Sequence, residues 1–302
     1  MRDWLLTLAV CACNKDAPAP SRAPVDPAER SPQRITEGSA AAAPPAYPDL
    51  AAALIATIPG DARVIGFGEL HARLDRPAAA STLAAFTRAL PALADRLSDL
   101  VIETWLVDPG CGQPAVQATS RIEAAVERPA ATRSEIGALI GAARAARVEP
   151  HAMKLGCADY KAVAPAGGEV NTEAMLSLTT RELRRIVTSA VTHRDREPGH
   201  RPWIAVYGGA LHNDRFPDAG IADWSYAADA DRATGGHFVE IDLVVPELAA
   251  DRPSARREPW FPLAGAPRDP ARPVVVWTRG ERSFVVLLPP SPPPPPAGSP
   301  GR

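Results

Sequence analysis

Short apolar runs that end in glycine or in a cluster of polar residues alternate along this chain with stretches of helical period. The run Val64-Ile65-Gly66-Phe67-Gly68-Glu69-Leu70-His71 is the clearest. β-branched and aromatic residues closed by glycines are the signature of an interior parallel strand, here Arg63 to Phe67, running into a tight turn. Leu100 to Thr104, Arg147 to Pro150 and Pro202 to Tyr207 read as three further strands, ending at Glu103, His151 and Gly208-Gly209-Ala210-Leu211-His212. Between them lie helical patterns. Asp49 caps a short helix from Leu50 to Ile58. Leu83, Phe86, Leu90, Leu93 and Leu97 recur at helical spacing around Pro91. Two helices follow over 115–127 and 134–146, the second capped by Ser134, and a long one spans Thr172 to Arg194. His237 to Val245 reads as another strand. Val274–Thr278 and Ser283–Leu288, joined by Arg279-Gly280-Glu281-Arg282, read as a hairpin.

Strand–helix alternation closed by a hairpin predicts an α/β fold: a largely parallel central sheet flanked by helices, with the C-terminal hairpin at the sheet edge. In such sheets chemistry gathers beyond the carboxyl ends of the strands. That rule gathers Glu69, His71, Glu103, His151 and His212 at one rim. Imidazole and carboxylate groups together suit a zinc-, manganese- or cobalt-class metal. They equally suit general acid–base activation of water without metal. Asp214 and Asp242 are candidate partners that orient an imidazole, and Arg73 a candidate anchor for an anionic substrate. His193, His200 and His237 read as surface or structural residues.

Composition narrows the partners. The chain of 302 residues is 46% hydrophobic and 23% charged with a formal net charge of -2, so it offers no overall basic footprint for nucleic acid. Its 34 prolines crowd the two ends, which places one folded domain at residues 47–289 between an Ala/Pro-rich flexible tether (14–46) and a Pro-rich tail (290–302). Residues 1–13 carry a short apolar core, Trp4 to Val10, followed by Cys11-Ala12-Cys13. This resembles a bacterial lipoprotein signal with Cys13 lipidated, and predicts an exported, membrane-anchored protein. In an oxidising compartment Cys111 and Cys157 are the expected disulfide.

Gly68-Glu69-Leu70-His71 and the later Gly208-Gly209-Ala210-Leu211-His212 also resemble the paired motifs of the superfamily that joins erythromycin esterase-like proteins, ChaN-type haem-binding lipoproteins and Tiki/TraB proteins. The resemblance covers about residues 60–245. Ala72 follows the motif histidine where esterase-like members usually carry glycine. The Tiki-like branch implies metal-dependent hydrolysis of a small-molecule or peptide substrate, with Glu69, His71 and His212 as ligands. The ChaN-like branch implies haem binding, with Tyr207, Tyr226 or a histidine on the iron. A degenerate member would keep the fold and lose both.

Overall fold

The computed structural model describes residues 43–291 and the dipeptide Leu8–Ala9. The expected lipoprotein signal with Cys13, most of the tether and the Pro-rich tail lie outside the described residues. Within 43–291, eight strands form one mixed sheet. In chain order they are β1 (Ala46–Tyr47), β2 (Val64–Glu69), β3 (Leu97–Leu106), β4 (Glu149–Lys154), β5 (Trp203–Gly209), β6 (Phe238–Val244), β7 (Val274–Gly280) and β8 (Ser283–Leu287). Across the sheet they run β4-β3-β5-β2-β6-β8-β7-β1. The pairings from β4 through β8 are parallel, while β7 pairs antiparallel with β8 and β1. Leu8–Ala9 lie antiparallel to Leu106 and Trp105.

The apolar run at Val64 is central because β2 is paired on both edges and covered on both faces. All six of its residues are buried. Its alternate side chains enter two separate cores, Ile65 and Phe67 into one and Val64 into the other. Over the first face pack α1 (Leu50–Thr57), α2 (Thr82–Leu93) and α4 (Ala131–Ala145); over the second pack α3 (Gly112–Ala125), α6 (Thr172–Arg194) and α7 (Ala227–Thr234). Asp49, Ser81 and Asn171 cap α1, α2 and α6 by accepting from the backbone N–H three residues on, which satisfies donors that a helix start leaves open. No helix of the described residues is long and apolar enough to cross a membrane.

Three boundaries differ from expectation. Leu97 opens β3 instead of closing α2, because the helix ends at Leu93 and Leu97 is wholly buried in the sheet. Ser134 lies inside α4, its hydroxyl donating to Ala131 O. The third strand begins at Glu149 and runs on to Lys154, so His151 sits inside it instead of beyond its end. A proline within a strand reads as a terminus. Here β4 is an edge strand with only one ladder to serve, which tolerates Pro150. Residues 157–163 form the short helix α5, and Cys157 at its start is bonded to Cys111, the expected disulfide.

Candidate functional site

Glu69 is the last residue of β2 and His71 lies two residues into the loop beyond it. Both are buried. Glu69 Oε1 lies 2.7 Å from His71 Nδ1. Its other oxygen accepts from the hydroxyl of Tyr207, on the neighbouring strand β5 and in register with Phe67. Arg128, from the loop between α3 and α4, touches His71 Nδ1 and stands 3.6 Å from Glu69 Oε1. Arg252 donates to the carbonyl of His71. Nothing in the sequence around Arg128 marks it, since it reaches the site from a loop some sixty residues away along the chain.

Charge decides how this cluster is protonated. Burial works to raise the Glu69 carboxyl, yet hydrogen bonding from His71, the charge of Arg128 and the bond from Tyr207 bring it below its ordinary value. Burial, with Arg128 second, lowers His71 to about 4 against the pull of Glu69. Burial and the Glu69 charge push the Tyr207 phenol well up, so it stays protonated and donates. Two groups meet at Nδ1: the Glu69 carboxylate, which only accepts, calls for the imidazole proton there, and the Arg128 guanidinium, which only donates, calls for a lone pair. His71 Nε2 is buried and has no hydrogen-bond partner among the described residues.

The other four candidates fall in different places. His212, in the turn after β5, lies on the α6 side of the sheet, its Nδ1 2.7 Å from the carbonyl of Trp224 and 2.8 Å from the Thr180 hydroxyl. Burial, with the charge of His71 a smaller cause, lowers it to about 3 against the pull of the Trp224 carbonyl. Glu103 is on that same face. Its Oε2 accepts from Gly209 N at 2.6 Å, and a Cβ at Gly208 would lie 2.4 Å from that oxygen. The side chain missing at Gly208 therefore admits Glu103, a residue of this same chain. His151 is not at the rim. It bonds Asp99 at 2.8 Å near the start of β3, and Arg194 holds the same carboxylate. Tyr226 is buried in the second core, edge-on to Phe238, on the face of the sheet opposite Tyr207.

The supporting candidates serve other partners too. Asp214 binds Arg279 and accepts from Phe216 N, while Asp242 faces the Asn213 amide. Arg73 pairs with Asp75 at the surface. Asn213, which sequence reasoning passed over, donates to Gly66 O; Gly66 and Gly68 leave room for it, since a Cβ on Gly68 would lie 2.6 Å from its Oδ1.

A divalent cation on Glu69, His71 and His212 fits this arrangement poorly. Both oxygens of Glu69 are committed to His71 and Tyr207, and a guanidinium already lies against the pair. Among the described residues no three His, Cys, Asp or Glu side chains are grouped to hold a metal. Haem fits poorly as well, because the buried Tyr207 hydroxyl is committed to Glu69 and Tyr226 is buried within the second core. The arrangement does match an oriented imidazole base: a carboxylate fixes the tautomer and supports the imidazolium, and an arginine stands beside it. Arg128 also lines a cavity of about 280 Å³ with Glu123, Val126, Pro129, Thr132 and Arg133. The chain matches no family model, no curated protein and no solved structure.

Proposed function

We propose that this chain is a hydrolase of the GExH-type superfamily in which the Glu69–His71 pair activates water without a metal. The observation that carries this reading is the buried, unpartnered Nε2 of His71 opposite an Nδ1 pinned to Glu69. An imidazole held this way accepts a proton from water as the oxygen attacks an ester or amide carbonyl; Glu69 then faces the imidazolium. The guanidinium of Arg128, against Nδ1 and Glu69, keeps that carboxylate ionised. His212 and Glu103 shape the opposite wall of the rim. The Cys111–Cys157 disulfide suits an oxidising compartment, which agrees with export and anchoring through a lipidated Cys13.

The test is a panel of aryl esters, lactones and short peptides assayed with the full chain, with and without a chelator. The reading expects saturable turnover that survives the chelator and falls by about a thousandfold in His71→Ala, the scale of a lost general base. Turnover that vanishes on chelation and returns with zinc or manganese overturns the metal-free base. A Soret band on haemin titration with no turnover anywhere in the panel overturns the hydrolase.

A further inference from the structure

Away from the rim, three hollows of about 630, 640 and 660 Å³ adjoin one another around the outer side of α6 and the edge strand β4. Arg196 borders the first two, and Ser189 and His193 border the second and third, so the three form one trough. Among the described residues, nine Arg and Lys side chains line it against two carboxylates, Glu149 and Glu197. Some of these cations are neutralised, as Arg194 is by Asp99 and Arg184 by Asp229. Arg144, Arg147, Lys154 and Arg196 are exposed and have no ion-pair partner among the described residues. In a chain whose net charge is -2, this is a concentrated local field.

We infer that this trough binds a linear acidic polysaccharide. Guanidinium groups pair bidentately with carboxylate and sulfate. Thr188, Ser189 and Thr192, which line the hollow between the arginines, add hydroxyls that reach a chain lying in the trough. A flat bilayer would meet only its rim. Among the described residues no Phe, Tyr or Trp lines any of the three hollows, so the large stacking platform that single-stranded nucleic acid uses is missing. The chain's own flanks do not supply the complement. Residues 10–42 carry four acidic and four basic residues, and residues 292–302 carry no acidic one. His71 lies outside the trough, so the inference stands apart from the hydrolase reading.

The experiment titrates the full chain with a heparin dodecasaccharide and an oligogalacturonate of matched length in about 150 mM salt. Anionic vesicles of phosphatidylglycerol and an oligodeoxynucleotide of equal charge serve as competitors. The double variant Arg144→Glu/Arg196→Glu tests the trough, and Arg88→Glu places a reversed charge on exposed α2. The inference expects saturable binding of at least one glycan, weakened at least tenfold in the double variant and less than twofold in Arg88→Glu. Unchanged thermal melting of both variants shows that folding is not the cause. Absence of saturable glycan binding, equal weakening by Arg88→Glu, or tighter binding of vesicles or DNA overturns it.

Discussion

His71 Nδ1 lies 2.7 Å from Glu69 Oε1, and the two residues are separated by a single leucine at the end of the central strand. A strand throws successive side chains to opposite faces, so residues two apart return to one side. That periodicity aims Glu69, like Ile65 and Phe67, at the face bearing Tyr207, and the loop beyond the strand carries His71 back to it.

Removing the charge beside the imidazole moves its titration. Arg128 is the second cause, after burial, of the low His71 pKa of about 4. Arg128→Gln is expected to raise it, so the acid limb of kcat/KM moves to higher pH while the rate on the plateau falls. A pH–rate profile of the two proteins checks this; an acid limb that stays in place or moves down would contradict the assigned role.

Acid destabilises the fold through the same burial. His71 and His212 titrate near 4 and 3 when folded and near their ordinary value, about 6.5, when unfolded. The stabilisation is complete above the unfolded value and is lost as pH falls toward the folded ones. Below about pH 6 the unfolded chain takes up a proton at each, costing about 1.4 kcal/mol per pH unit per histidine. Urea melts between about pH 6.5 and 4.5 measure the slope, and His212→Asn should make it shallower.

Gly208 is required by the carboxylate next to it. A Cβ there would stand 2.4 Å from Glu103 Oε2 and 2.8 Å from Glu103 Cβ. Gly208→Ala is expected to cost about 1–3 kcal/mol by overpacking. Glu103→Ala alone leaves the buried Gly209 N–H without its acceptor, and the double variant should cost less than the sum of the two. Chemical melts of the four proteins complete the cycle; additive losses would show that the two residues do not meet as described.

The disulfide spans 46 residues. In the chain-entropy description, closing such a loop contributes about 4 kcal/mol. Cys111→Ser/Cys157→Ser should therefore lower the melting temperature by about 10 °C, the scale for a domain of this size. Differential scanning calorimetry under non-reducing conditions makes the comparison.

Much of the fold follows from patterns the chain displays openly. The buried run of β2, the capped helices α1 and α6, and the terminal hairpin all appear close to where periodicity and capping chemistry put them. Pro150 hid the true extent of β4, because a proline carries the same mark at a strand end and within an edge strand. His151 was drawn toward the rim by that error. Glu69, His71 and His212 do stand at or just beyond the ends of parallel strands, as the strand rule implies, while Glu103 lies inside β3, which runs on to Leu106; the sequence could not say on which face of the sheet each would lie. Arg128 was illegible for a different reason. An arginine in a loop between two helices carries no local signal, and only the packing of α3 and α4 brings it to the imidazole.

The position of the proton on the His71 ring decides which nitrogen can act as a base. Arg128 and Glu69 both approach Nδ1, and only one of them is met by a proton on that nitrogen. Nitrogen-15 NMR of the full chain labelled at histidine distinguishes the two arrangements at neutral pH. The account predicts a neutral ring with the proton on Nδ1, an unprotonated Nε2, and titration near pH 4. A proton on Nε2, with Nδ1 accepting from Arg128, would leave no base facing the substrate and would contradict the proposed chemistry.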